Sequence, residues 1–267
     1  MASSIPTPLP RPSAIAFDCY RTLFQNAPAD WERTFGGICL EQRLGISGSE
    51  LWDRWKKYEV NFRATRLAPG PDGALPAFKT YRLAWGECFV RVFTDLGADA
   101  DPRAAAAACV RHMAARQPYP ETAAAVAALA ARTKVAVLSN ADDDFLRPCL
   151  AALKADFGAV VSSESARSYK PAPRIFRALL DSLDLDPRAV WFVGDHLHED
   201  VHGSASAGMT AIWINRPAGD NYYAGQTGLT AGRRQAPHAE ISSLLELLGL
   251  LEAASGARSG TGSSASF

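Results

Sequence analysis

The chain has 267 residues, 48% of them apolar and 21% charged, a length that admits one domain with an insertion, or one large and one small domain, around a sizeable core. Its formal net charge is zero, so no basic excess points to nucleic acid or to an anionic membrane as a partner. No run approaches a membrane span, and five scattered cysteines without a CxxC pair fit the reduced thiols of a cytoplasmic protein better than a disulfide framework.

In chain order, MASSIPTPLPRPS has no apolar core of a secretory signal, and its Pro and Ser content predicts a disordered lead over residues 1–13. Ala14–Phe17 is a short apolar run before an acid. That pattern suits a buried parallel strand delivering Asp18 at its carboxyl end, where open α/β sheets bind ligands. Thr22 follows four residues later, within reach of a carboxylate or an anion. Cys19, next to Asp18, is expected to face the other way as packing.

Residues 25–115 carry only helical signals and are predicted to be an all-helical insertion. Helices are expected over 51–66, 78–97 and 101–117, with a Gly/Pro loop at 67–76 between the first two. Gly97 reads as a C-cap, and Asp101 with Pro102 as a helix start.

Strands and helices then alternate. Helices are predicted at 120–133, 142–153, 169–185, 203–209 and 241–253. Strands are predicted at 134–140, 157–165, 189–200 and 210–216. The tail from residue 255 is low in complexity and reads as disordered. The fold predicted is an α/β doubly wound parallel sheet of five strands, with 14–24 and 116–254 as core and 25–115 as helical cap.

At the strand ends stand Asp18, then Ser139 and Asn140, then Asp195, with Lys170 just before a helix. Such a sheet brings them to one edge. The set holds a nucleophile candidate, hydroxyl and amide donors, a cation, and further acids for a metal. Acyl-phosphate chemistry needs these groups.

The stretches DCYRT, LSN, YKPAPRIF and GDHLHED, in this order and spacing, resemble the four motifs of the haloacid dehalogenase (HAD) superfamily of hydrolases. The resemblance covers about residues 14–250, and the helical insertion is similar to the cap of subfamily I. It implies that Asp18 is the nucleophile, that Ser139 binds the transferring group, and that Lys170 neutralises charge. It further implies that Asp195 holds Mg²⁺, with Asp200 supporting it.

Two departures from the family pattern pull in opposite directions. HAD phosphatases place a second Asp two residues after the nucleophile, as general acid and as a carbonyl ligand to the metal; this chain has Tyr20 there. Tyrosine at that place resembles the 2-haloacid dehalogenases, which usually follow it with Gly; this chain has Arg21. The fourth motif, with Asp195, Glu199 and Asp200, is phosphatase-like. Asp18, Asp195 and Asp200 opposed by Lys170 alone call for a cation, and hard oxygen donors select Mg²⁺. A phosphate dianion also needs a metal to approach Asp18, whereas a haloacid needs none.

The expected function is therefore a Mg²⁺-dependent phosphatase of a small phosphorylated metabolite, acting as monomer or homodimer. The metal set is Asp18, the Tyr20 carbonyl, Asp195 and Asp200. Tyr20, Asn140 and Arg54 are the substrate-binding candidates, Arg54 standing one place beyond the cap arginine of the dehalogenases. Arg54, Arg63 and Arg66 read equally as a solvated helix face, Asp200 as a helix cap, Asn140 as a strand-end brace, and His196, His198 and His202 as solvated loop residues rather than zinc ligands. The alternatives are a metal-independent 2-haloacid dehalogenase, and a non-catalytic HAD-like binding protein.

Overall fold

The computed structural model describes residues 9–216 and 235–256. The N-terminal lead up to residue 8 and the tail from residue 257 lie outside the described residues. Strand β1, Ala14–Phe17, leads into four helices: α1, Pro28–Glu41; α2, Gly48–Thr65; α3, Tyr81–Leu96; and α4, Pro102–Ala114. Then come α5, Thr122–Ala130; β2, Lys134–Ser139; α6, Asp143–Ala152; β3, Ala159–Ser162; α7, Ser163–Ala166; α8, Pro173–Leu183; and β4, Val190–Gly194. A π-helical turn, Leu197–His202, precedes α9, Gly203–Ser206; β5, Thr210–Ile214; β6, Ala239–Ile241; and α10, Glu246–Gly256.

The six strands form one parallel sheet in the order β3-β2-β1-β4-β5-β6. The strand order reverses at β1, which pairs with β2 on one side and β4 on the other. Such a reversal opens a crevice at the carboxyl ends of the strands.

Side-chain alternation explains why both faces are covered. Ile15, Phe17, Val135, Val137, Trp191 and Val193 enter one apolar cluster, and Ala14, Ala16, Ala136, Leu138, Val190 and Phe192 enter the other. A period of two with both phases apolar is what a parallel sheet between helical layers requires. Helix α8 lays Ile175, Phe176, Leu179 and Leu183 against the second cluster.

The inserted helices have their own aromatic centre. Trp55 stacks on Trp31 with centroids 5.8 Å apart and meets Phe35 at 5.2 Å. Trp85 stacks on Phe145 of α6 at 5.5 Å, so the cap and the first cluster of the core are continuous. Burying one such ring is worth about 1.5–3 kcal/mol.

Several sequence expectations needed correction. Among the described residues the sheet has six strands, not five, because the three-residue β6 carries too little periodicity to read. The strand predicted at 157–165 ends at Ser162, whose hydroxyl accepts the Ser165 N–H and starts α7. The strand predicted at 189–200 ends at Gly194. Its last residues are a helical turn, so His196 is not in an exposed loop: it is partly buried, and its Nδ1 accepts the N–H groups of His198 and Glu199. The Gly97 C-cap at φ +60° and the Asp101 N-cap are as expected.

Candidate active site

Asp18 leaves the end of β1 with its N–H bonded to the Val193 carbonyl of β4 at 2.9 Å, which fixes it at the crevice. Lys170 Nζ donates to Asp18 Oδ1 at 2.6 Å, to Asp200 Oδ1 at 2.6 Å and to the Leu138 carbonyl at 3.3 Å. Ser139 Oγ donates to the same Asp18 Oδ1 at 3.1 Å. All four side chains are buried. Burial pushes the Asp18 and Asp200 carboxyls up, and Lys170 opposes this. Burial also works against the charged amine of Lys170, but Asp18 and Asp200 outweigh it and hold the group cationic.

Asp200 fits because Gly194 has no side chain: a Cβ there would lie 2.4 Å from Asp200 Cγ. Its other oxygen accepts the His196 N–H at 2.9 Å. Asp200 thus ties the π-helical turn to Lys170 rather than capping a helix.

Asp195 follows β4. Oxygens of Asp18, Asp195 and Asp200 all lie within 4.8 Å of one another. Burial pushes Asp195 up to about 7, with Arg21 pulling the other way. Arg21 Nη2 stands 3.3 Å from Asp195 Oδ2. The expectation that Lys170 alone opposes the acids is therefore corrected: two cations face three carboxylates. The remaining charge is still negative and the donors are hard oxygens, so this set fits Mg²⁺.

The other sequence candidates fall in different places. Asn140 Oδ1 accepts the Lys170 N–H at 2.8 Å and its Nδ2 donates to Glu199 Oε2 at 2.9 Å, so its amide braces two loops. Tyr20 lines the site, but its hydroxyl donates away from it, to the Phe145 carbonyl at 3.1 Å. Thr22 does not line the site: it is fully buried, its hydroxyl has no partner among the described residues, and its carbonyl accepts Arg216 Nη2 at 2.7 Å. Arg54 is also displaced from its expected role, lying exposed and paired with Glu50 at 2.8 Å within α2.

Arg63 and Arg66 are the arginines that turn inward. Both reach Glu199 Oε1, at 3.1 and 2.7 Å. Burial would raise the Glu199 carboxyl, but the two guanidiniums hold it far below the usual carboxylate range. Glu199 was legible only as an acid behind Asp195; its two arginine partners lie more than 130 positions away. A chamber of about 90 Å³ lies between cap and core, walled by Trp31, Tyr81, Trp85 and Phe145, with Glu59 of α2 as a carboxyl contributed by the cap. The arrangement can align a nucleophilic carboxylate, hold an anion, and exclude water from a small substrate.

Residues 12–208 match the family model of the haloacid dehalogenase-like hydrolases. The chain is 34% identical to the N-acylneuraminate-9-phosphatase of Mus musculus over 122 residues, 45% of this chain and 46% of that protein, so the match spans about half of that relative. It is 26% identical over 245 residues to the (S)-2-haloacid dehalogenase of Pseudomonas sp. (strain YL), covering 91% of this chain and 95% of that one. The structure of an L-2-haloacid dehalogenase from Xanthobacter autotrophicus with chloropropionic acid covalently bound superposes with a TM-score of 0.67 at 21% identity, over 90% of this chain and 98% of that one.

Proposed function

The chain belongs to the haloacid dehalogenase-like hydrolases and is a hydrolase; from that premise we propose that it is a Mg²⁺-dependent phosphatase of a small phosphorylated metabolite. The observation that carries this reading is the cluster of Asp18, Asp195 and Asp200, whose oxygens approach within 4.8 Å. Asp18, the Tyr20 carbonyl and Asp195, with Asp200, would hold the ion. When bound, Mg²⁺ would offset the charge of the phosphate approaching Asp18.

Lys170 and Ser139 both hold Asp18 Oδ1, which leaves Oδ2 to attack phosphorus. The P–O bond to the leaving group breaks as the Asp18–phosphorus bond forms. Water then hydrolyses the aspartyl phosphate and returns Asp18. Tyr20 does not protonate the leaving oxygen, because its hydroxyl is held by Phe145 and burial raises its pKa well above the ordinary phenol value. Glu59, the cap carboxyl in the chamber, is assigned that proton. A beryllofluoride adduct on Asp18, and loss of turnover in Asp18→Asn with the fold retained, test the assignment; full activity in that variant would end it.

One observation and one chemical point favour a second reading, a 2-haloacid dehalogenase. Arg21 supplies positive charge to the cluster without a metal, and a departing halide needs no proton. In that reaction Asp18 attacks the halogen-bearing carbon, and water hydrolyses the resulting ester.

A further inference from the structure

The residue after Tyr20 sits in a left-handed turn, at φ +70°. Glycine adopts that conformation without steric cost, and other residues rarely do. This chain instead places a guanidinium there. The Arg21 N–H bonds the Phe24 carbonyl at 2.5 Å, which fixes the turn. The side chain then runs back to Asp195, with Nη2 at 3.3 Å from Oδ2 and only 13% of each side chain exposed.

We infer that Arg21 is a built-in competitor for the metal: it holds Asp195 when no divalent ion is bound and must give it up when one binds. The inference rests on the metal-dependent reading above. Charge bookkeeping supports it. With Arg21 withdrawn, three carboxylates balance Lys170 and a divalent cation. With Arg21 in place, the same buried cluster would carry an excess positive charge, and guanidinium and ion would repel each other at close range. Arg21 and Asp195 line both the chamber and a second cavity of about 30 Å³, which Tyr119, Trp213 and Arg216 also line, with Arg216 paired there to Glu121 at 2.8 Å. The device makes metal affinity low and sets it through one residue outside the ligand set.

Calorimetric titration of the full chain with Mg²⁺ tests this in the wild type, Arg21→Gly, Arg21→Gln and Asp195→Asn. Glycine relieves the turn. Glutamine keeps bulk and turn strain but removes the charge, so agreement between the two isolates charge from backbone effects. Circular dichroism checks that each variant is folded. Both Arg21 variants are expected to bind Mg²⁺ at least about tenfold more tightly than the wild type, which is 1.4 kcal/mol, and Asp195→Asn to lose binding. Equal affinity in the wild type and both Arg21 variants, with binding lost in Asp195→Asn, overturns the competitor role and leaves the metal site standing. No binding in any variant overturns both.

Discussion

Glu199, beside the strand end that carries Asp195, and Arg66, the C-cap of the second cap helix, meet as a buried ion pair at 2.7 Å. The pair, joined by Arg63, closes the cap over the chamber. Glu199→Gln leaves the buried Arg66 guanidinium without its carboxylate, while Arg63 keeps Glu59 at 3.9 Å, and removing one partner of a buried pair typically costs about 3–5 kcal/mol. Thermal melting should fall accordingly, and proteolysis within the cap should accelerate. Because the folded pKa of Glu199 is depressed, its stabilisation is complete above the unfolded carboxylate pKa and is lost only as pH falls through the much lower folded value. An unchanged melting temperature in Glu199→Gln would show that the pair does not hold the cap.

A second cap–core contact has the opposite pH sign. Asp142, at the start of α6, accepts the N–H groups of Tyr81 and Arg82 at the first turn of α3, each at 2.8 Å. Burial pushes this carboxyl up to about 6, although those two bonds oppose the shift. A raised carboxyl favours the folded state at low pH, and that advantage is lost as pH rises from the unfolded value through about 6. Relative to Asp142→Asn, the wild type should lose up to about 3 kcal/mol between pH 4 and pH 7. Denaturant midpoints at several pH values measure this, and parallel curves for the two proteins would contradict it.

Glu59→Gln separates the proton donor from the rest of the site. Loss of general acid help costs about 10²–10⁴-fold in rate. Turnover of alkyl phosphates should fall by that order, while p-nitrophenyl phosphate, whose leaving group needs little protonation, should lose far less. An equal loss on both substrates would remove Glu59 from this role.

Tyr20→Phe should barely change turnover on any substrate. The hydroxyl it removes bonds the Phe145 carbonyl at 3.1 Å in a buried setting, so the expected cost is about 1 kcal/mol of stability. A large fall in kcat with an unchanged melting temperature would return the phenol to the chemistry.

The core of the site was legible because local pattern and topology agree there. Strands β1 and β4 are apolar runs each followed by an acid, and β2 is an apolar run ending in Ser139; a parallel sheet sends such ends to one edge. Asp18, Ser139, Lys170, Asp195 and Asp200 all arrive there. Contacts made across the chain were not legible. Arg63 shares a helix with Arg54 and Arg66 caps its end, and nothing in local spacing says that two of the three turn inward; the buried Glu199 decides it. Arg21 stood out as a departure from the family pattern, but its ion pair depends on a left-handed turn that a sequence with Arg at that place does not announce. Thr22 misled because nearness in sequence to Asp18 is not nearness in a tight turn.

The central claim is that the acid cluster serves metal-dependent phosphoryl transfer. One assay panel tests it most directly: acetyl phosphate, p-nitrophenyl phosphate, sugar phosphates and 2-chloropropionate, each with Mg²⁺ and with a chelator, scoring phosphate and chloride release. The account predicts phosphate release that requires Mg²⁺ and disappears in Asp18→Asn, with no chloride released. Chloride release that persists in the chelator, without phosphate release from any substrate, would contradict it and establish the dehalogenase.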